Sequence, residues 1–234
     1  MNFRTAAILA TAMSVLALTG CASGKAPDVI EQVTGGGPAK TTNSPSARPS
    51  GQLVASGFGQ QDEYVWVTSL VRNTSPHVGQ TVTVQFNVLD ANGKIISSGS
   101  QVENFSRPDQ LLVVGTQVEV KPNEKAAKVK ATLLVEDEGT FSTRPFPKIP
   151  TSAVHVSKGE YGDTTGSFEV NNPTSTPLKD ARVGIICYDA KRNVTGGSSE
   201  YPDLVPSSGK IRVESTLNTL GTPATCDAYA GPGI

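Results

Sequence analysis

Few side chains in this sequence are of the types that do chemistry, and their spacing limits what each can do. The histidines are His77 and His155. His77 ends the turn Thr74-Ser75-Pro76-His77, and His155 alternates with Val154 and Val156, so both read as surface residues. Both methionines, Met1 and Met13, fall at the very start, and no cysteine neighbours a histidine. That donor set does not suit zinc or copper, so no metal and no cofactor is expected. Ser207-Ser208-Gly209-Lys210 has the S-x-x-K spacing of a serine nucleophile with a lysine base. Such a pair needs one helical turn, whereas Pro206 and Gly209 mark a β-turn. Lys25, Lys94 and Lys210 each follow a glycine but lack the glycine five residues earlier that a phosphate loop requires. Glu136-Asp137-Glu138 reads as a solvated strand end rather than a calcium site. With no strand-turn-helix elbow for a nucleophile, the chain is expected not to be an enzyme.

The cysteine with a distinctive setting is Cys21. It follows Leu18-Thr19-Gly20, which close an apolar run from Ala6 behind Met1-Asn2-Phe3-Arg4. A positive start, a short apolar stretch and a small-residue cleavage site make residues 1–20 a signal peptide. With the cysteine next, the stretch resembles the bacterial lipobox. That resemblance implies cleavage after Gly20 and lipidation of Cys21, so the acyl chains attach the protein to the cell membrane. The protein is then expected on the extracytoplasmic side. Ala22 is not the Asp that retains many lipoproteins at the inner membrane, which leaves the outer membrane open as well.

Acylation of Cys21 leaves Cys187 and Cys226 as an even pair in an oxidising compartment, and a disulfide is the natural reading. Loss of the leader removes Arg4 and no acid, so the net charge moves from −1 to −2. Without clustered Lys and Arg, nucleic acid is not an expected partner.

Beyond Cys21, residues 21–50 form a lipid-anchored tether rich in Gly, Ser, Thr, Ala and Pro, with too few apolar side chains to fold. From Gly51 on, the apolar period is two. Val65, Val67 and Val71 alternate, as do Val82, Val84, Phe86 and Val88, and again Val183, Ile185 and Cys187. Turn signals such as Asp90-Ala91-Asn92-Gly93 separate the runs. The fold class is all-β, and the length fits two tandem immunoglobulin-like β-sandwiches, at 51–143 and 154–234.

A shift of 99 residues supports that division. It aligns Val71 with Val170, Asn73 with Asn172, Val84 with Val183, Asp90-Ala91 with Asp189-Ala190, and Val114 with Val213. Strand polarity alternates in phase across the whole span. Between the copies, a connector at 144–153 contains Arg144-Pro145-Phe146-Pro147-Lys148-Ile149-Pro150, which cannot sustain a sheet ladder and should run extended. Phe86-Asn87-Val88-Leu89-Asp90 and Ile185-Ile186-Cys187-Tyr188-Asp189 hold the same place in the two copies, each after an Asn-containing turn. Both resemble the motif of the FxLYD domain, a small β-sandwich of exported bacterial proteins. The first copy lacks the Tyr and the second lacks the Phe, and the resemblance implies a fold without a known activity.

The repeat bears on two sites. Cys187 and Cys226 share an inward phase on strands that neighbour each other in immunoglobulin-like order, with Val88 and Ala127 at the matching places of the first copy. Closing that loop stabilises by about 4 kcal/mol in the chain-entropy view. The second site is a face. If Val67, Val71, Leu112 and Val114 point inward, then Tyr64, Trp66, Leu70, Leu111 and Val113 point outward. The second copy has Asp163, Thr165, Glu169, Lys210 and Arg212 there. An apolar face in one copy against a charged one in the other marks a candidate binding face. Three readings stay open: an inverted strand phase with Trp66 in the core, docking on the second domain or the tether, and an external partner.

The expected function is a non-catalytic, lipid-anchored extracytoplasmic binding or scaffolding protein, with an unknown protein or envelope ligand as partner. The alternative is a ligand-binding accessory lipoprotein of a transport or envelope system, holding a small solute or glycan between the domains.

Overall fold

The computed structural model describes residues 50–136, 144–159 and 162–232, which all fall within one compact unit. Cys21, the leader, the tether up to position 49, and Asp137 and Glu138 lie outside the described residues.

Period-two patterning produces strands throughout. The first half forms β1 (Gly51–Gln61), β2 (Tyr64–Asn73), β3 (Thr81–Leu89), β4 (Ile95–Asn104), β5 (Leu111–Glu119) and β6 (Lys128–Glu136). These make two antiparallel sheets, β1-β2-β5 and β4-β3-β6. Alternate residues meet between the sheets. Val65, Val67, Val71 and Val114 from one, and Val82, Val84, Phe86 and Val88 from the other, lose essentially all their exposure.

The second half forms β7 (His155–Lys158), β8 (Thr164–Asn171), β9 (Leu178–Lys179), β10 (Ala181–Tyr188), β11 (Val194–Glu200), β12 (Leu204–Val205), β13 (Lys210–Thr216), β14 (Asn218–Thr219) and β15 (Thr225–Pro232). Its main sheets are β13-β8-β7 and β14-β11-β10-β15, and β9 pairs with β12. Phe168, Val170, Val183, Ile185, Cys187 and Val213 form its core. The described residues are thus all-β, in two immunoglobulin-like sandwiches in which, with the two-residue strands β9 and β12 set aside, the second and fifth strands adjoin (β2 with β5, β8 with β13).

The repeat holds in the hydrogen bonds. Leu70 faces Val113 across β2 and β5, and 99 residues on Glu169 faces Arg212 across β8 and β13. The register slips between Val88 and Leu89 in one copy and between Cys187 and Tyr188 in the other. Asp90 Oδ1 accepts from the N–H groups of Asn92 and Lys94, as Asp189 Oδ1 does from Lys191 and Asn193. These side-chain bonds start the same turn twice. The left-handed residue of that turn is Gly93 in one copy and Arg192 in the other. Asn73 and Asn172 are fully buried and pin their loops alike. Asn73 donates to the carbonyls of His77 and Arg107, and Asn172 to those of Thr176, Val205 and Pro206.

One expectation needs correction. In the last strand the shift becomes 97, because Val88 pairs with Val129 while Cys187 pairs with Cys226. Val129, not Ala127, therefore holds the matching place in the first copy. Ala127 precedes β6 and donates its N–H to Leu89. The connector, for its part, is fastened to the second sandwich. Ile149 bridges Ala230, Thr151 bridges Val170, and Thr151 Oγ1 donates to the Ala228 carbonyl at 2.7 Å. Ile149 is 3% exposed and belongs to the second core. Pro147 and Pro150 bring no N–H, so the contacts stay single bridges rather than a ladder.

Candidate functional site

The apolar face of the first sandwich is where the phase of the strands puts it, and the second sandwich covers it. Leu70 (6% exposed) and Val113 (2%) pack with Ile186 and Tyr188 of β10. Ala55, Leu111, Val194 and Tyr229 complete the cluster. The candidate binding face is therefore closed to an external partner at Leu70 and Val113 and half-covered at Leu111: of the three readings, the structure has one sandwich docked on the other. Trp66 points the same way and is half-buried, with its indole Nε1 enclosed and unpartnered among the described residues. Tyr64, at the rim, remains 45% exposed.

The partner surface is the outer face of β10 and its neighbours. Every residue of β10 is buried, because Val183, Ile185 and Cys187 enter the second core while Gly184, Ile186 and Tyr188 meet the first sandwich. The result is a stack of four sheets whose two inner members are β1-β2-β5 and β14-β11-β10-β15. The charged face of the second copy is on the outside of that stack. There Lys210 pairs with Glu169 at 2.8 Å, and Arg212 with Glu214 at 3.1 Å.

Backbones come close at this contact. A Cβ on Gly59 would stand 2.0 Å from the Asn218 carbonyl oxygen, and one on Gly184 would stand 2.6 Å from Val113 Cβ. Asn218 Nδ2 also donates to the Tyr64 carbonyl at 3.2 Å.

At one end of the contact Glu103 of β4 forms an ion pair with Arg182 of β10, both almost wholly buried. Gln101 Nε2 donates to Glu103 at 2.8 Å, and Arg182 Nε donates to the Tyr201 hydroxyl at 3.1 Å. The Arg182 guanidinium also lies 5.7 Å from the Tyr201 ring centre. Burial lowers the Arg182 pKa, opposed by the interaction with Tyr201. Glu103 sits opposite Val82 and so faces inward. No spacing rule singles out Glu103, Arg182 or Tyr201. The signal that was present for this contact is the apolar run from Val183 to Tyr188 within β10, which marks a strand buried on both faces.

Beside that pair is a cavity of about 40 Å³, lined in part by Gln110, Leu111 and Tyr229. It has room for a few water molecules, each needing about 10–15 Å³ of such space. A larger, solvent-open groove of about 410 Å³ follows the connector, lined by Arg107, Lys148, Thr151, Asp227 and Tyr229.

The disulfide expected from the pairing of inward phases is present between Cys187 and Cys226, which are direct neighbours on β10 and β15 with Cα atoms 4.1 Å apart. His77 and His155 are exposed. Ser208 lies in a turn closed by the Gly209 N–H on the Pro206 carbonyl, at 3.1 Å, so the S-x-x-K spacing is not helical. Among the described residues, no three His, Cys, Asp or Glu side chains gather as a metal site. Tyr188 is pushed up to about 12 by burial, then by Tyr229 and Asp227, with Arg192 opposing at 4.2 Å from the ring centre.

No family model matches the chain, and no curated protein matches it. Among solved structures, a transglutaminase from red sea bream is similar over 80% of this chain, at 10% identity and a TM-score of 0.23. The chain spans about a third of that protein's length, 32%. A likeness at that level carries no argument about fold or function.

Proposed function

We propose that this chain is a non-catalytic, lipid-anchored extracytoplasmic protein whose two sandwiches act as one rigid binding or scaffolding body. The observation that carries the reading is the docking of β1-β2-β5 on β10, β11, β14 and β15, sealed by the Leu70–Val113–Ile186–Tyr188 cluster. An apolar contact of this kind resists hinge motion, and a rigid body carried on a tether suits display or spacing better than closure around a substrate. The Cys187–Cys226 bridge supports an oxidising compartment. Acylation of Cys21 after the lipobox supplies the anchor in this reading. The two Asp-started turns and two buried asparagines recur where the FxLYD resemblance puts its motif, and support kinship of the two halves.

The test has two arms. Labelled fatty acid should enter the wild-type protein and not Cys21→Ser, which should be unprocessed or released. Crosslinking on intact cells should then join the anchored protein to a reproducible protein or envelope component. Equal labelling of the two forms would overturn the anchor, and absence of a specific crosslink would overturn the scaffold.

The second reading, an accessory lipoprotein that binds a small solute or glycan, has one observation in its favour. The groove of about 410 Å³ beside the connector falls in the size range of ligand sites, about 300–1,000 Å³. The cavity of about 40 Å³ at the sandwich contact does not. Thermal-shift screening of the soluble form against glycans and small solutes separates the two readings, because only the second expects a ligand-dependent rise in melting temperature.

A further inference from the structure

We propose that β6 is a docking edge for a second copy of this chain, the two β6 strands pairing antiparallel about Thr132. Among the described residues β6 has a single sheet neighbour, β3. The equivalent edge of the second sandwich, β15, is covered by the Ile149 bridge and the Thr151 hydroxyl. Among the described residues no bridge or side-chain hydrogen bond reaches the free edge of β6, and β1 of the facing sheet packs on its inner side chains, with Gly51 against Val135 and Leu133.

The direction of its peptide groups follows from β3. The Gln80 carbonyl accepts from Phe105 on the β4 side, and the Leu89 carbonyl accepts from Ala127 on the β6 side. Alternation along the strand then directs Gln85 and Asn87 toward β6, opposite Thr132 and Lys130. The peptide groups of Val129, Ala131, Leu133 and Val135 are left pointing away from the sheet. Such a row is a template for another strand.

The sequence of β6 is complementary to itself. Turned about Thr132, Lys128 meets Glu136 of the second copy, and Glu136 meets its Lys128. Lys130 meets Leu134, which is 51% exposed, and the lysine stem would cover that apolar surface. On the inner side Val129 meets Val135, and Ala131 meets Leu133. Both faces thus match, charge with opposite charge and apolar with apolar, in a closed two-fold contact. Two β4-β3-β6 sheets would become one continuous sheet of six strands.

Sedimentation velocity of the full chain over a concentration series tests this. A reversible dimer is expected for the wild type. Lys128→Glu and Glu136→Lys should each weaken it on the order of tenfold, since each puts two like-charge pairs across the contact. The double variant Lys128→Glu/Glu136→Lys should recover the dimer, as should an equimolar mixture of the single variants. Lys130→Glu, opposite Leu134, should have the smaller effect. A chain that stays monomeric, a dimer indifferent to Lys128→Glu, or a loss that the double variant does not rescue would each overturn the proposal. Circular dichroism of every variant keeps loss of fold distinct from loss of pairing.

Discussion

Glu103 and Arg182 form a buried ion pair between the two sandwiches, with side chains 4% and 5% exposed. Removing one partner strands the other charge in a buried site, and such losses run to about 3–5 kcal/mol. Arg182→Met should therefore lower the urea midpoint sharply, while Arg182→Met with Glu103→Leu should recover a good part of the loss. If the double variant is as unstable as the sum of its parts, the two side chains are not coupled.

Gly59 allows β1 to lie against Asn218, so any side chain there meets backbone rather than a yielding side chain. Gly59→Ala should destabilise by about 1–3 kcal/mol, the usual cost of overpacking. The strain falls on the contact between sandwiches. Small-angle scattering should therefore show a larger radius of gyration while circular dichroism keeps the strand signal. Ser98→Ala, on an exposed outer face, serves as the control.

The Cys187–Cys226 bridge closes a separation of 39 residues. Opening it should cost about 4 kcal/mol by the loop-entropy argument. Peptide mapping without reductant should recover the two cysteines joined, and a reductant or Cys187→Ala/Cys226→Ala should lower the melting temperature by several degrees. Equal melting with and without reductant would mean that the ladder of β10 and β15 holds without the bridge.

Tyr188 gives a pH dependence with a definite sign. Its folded pKa is raised from 10.0 to about 12, by burial first and by Tyr229 and Asp227 next. Between those values the folded state keeps a proton that the unfolded chain releases, so stability falls as pH rises. The contribution is intact below pH 10 and lost by about pH 12. Tyr229, raised by burial and by Asp227, acts in the same direction. Urea midpoints measured across that range should fall for the wild type and fall less for Tyr188→Phe. A flat alkaline limb would show that Tyr188 is solvated when folded.

The alternation of Val82, Val84, Phe86 and Val88, and of Val183, Ile185 and Cys187, is enough to define inward faces, because side chains on a strand alternate without regard to what lies beyond. The turn chemistry was equally local. Asp90 and Asp189 bond to N–H groups two and four residues on, and need no distant partner. The 99-residue shift then carried the topology from one copy to the other. The pairing of Cys187 with Cys226 followed, since two inward residues on neighbouring strands of one sheet have little else to meet. Where the shift slid to 97, the assignment of Ala127 failed, because loop length between strands is free to change while register is not.

What covers an outward face is another matter. Leu70 and Val113 could be read as outward from their phase, and as apolar against Glu169 and Arg212 in the other copy. Their partners Ile186 and Tyr188 lie more than 70 residues downstream, on a strand of the opposite sheet type, so the repeat itself gave no hint of the match. Docking is decided by the shape and polarity of whole surfaces, including how closely Gly59 and Gly184 let backbones approach. Glu103 and Arg182 show the same division. Each alone reads as a surface charge, and only the tertiary structure places both in one buried contact, where neither is stable without the other. Strand phase is a property of neighbouring residues and is written in the sequence; the choice between an open face and a covered one depends on surfaces that only the folded chain brings together.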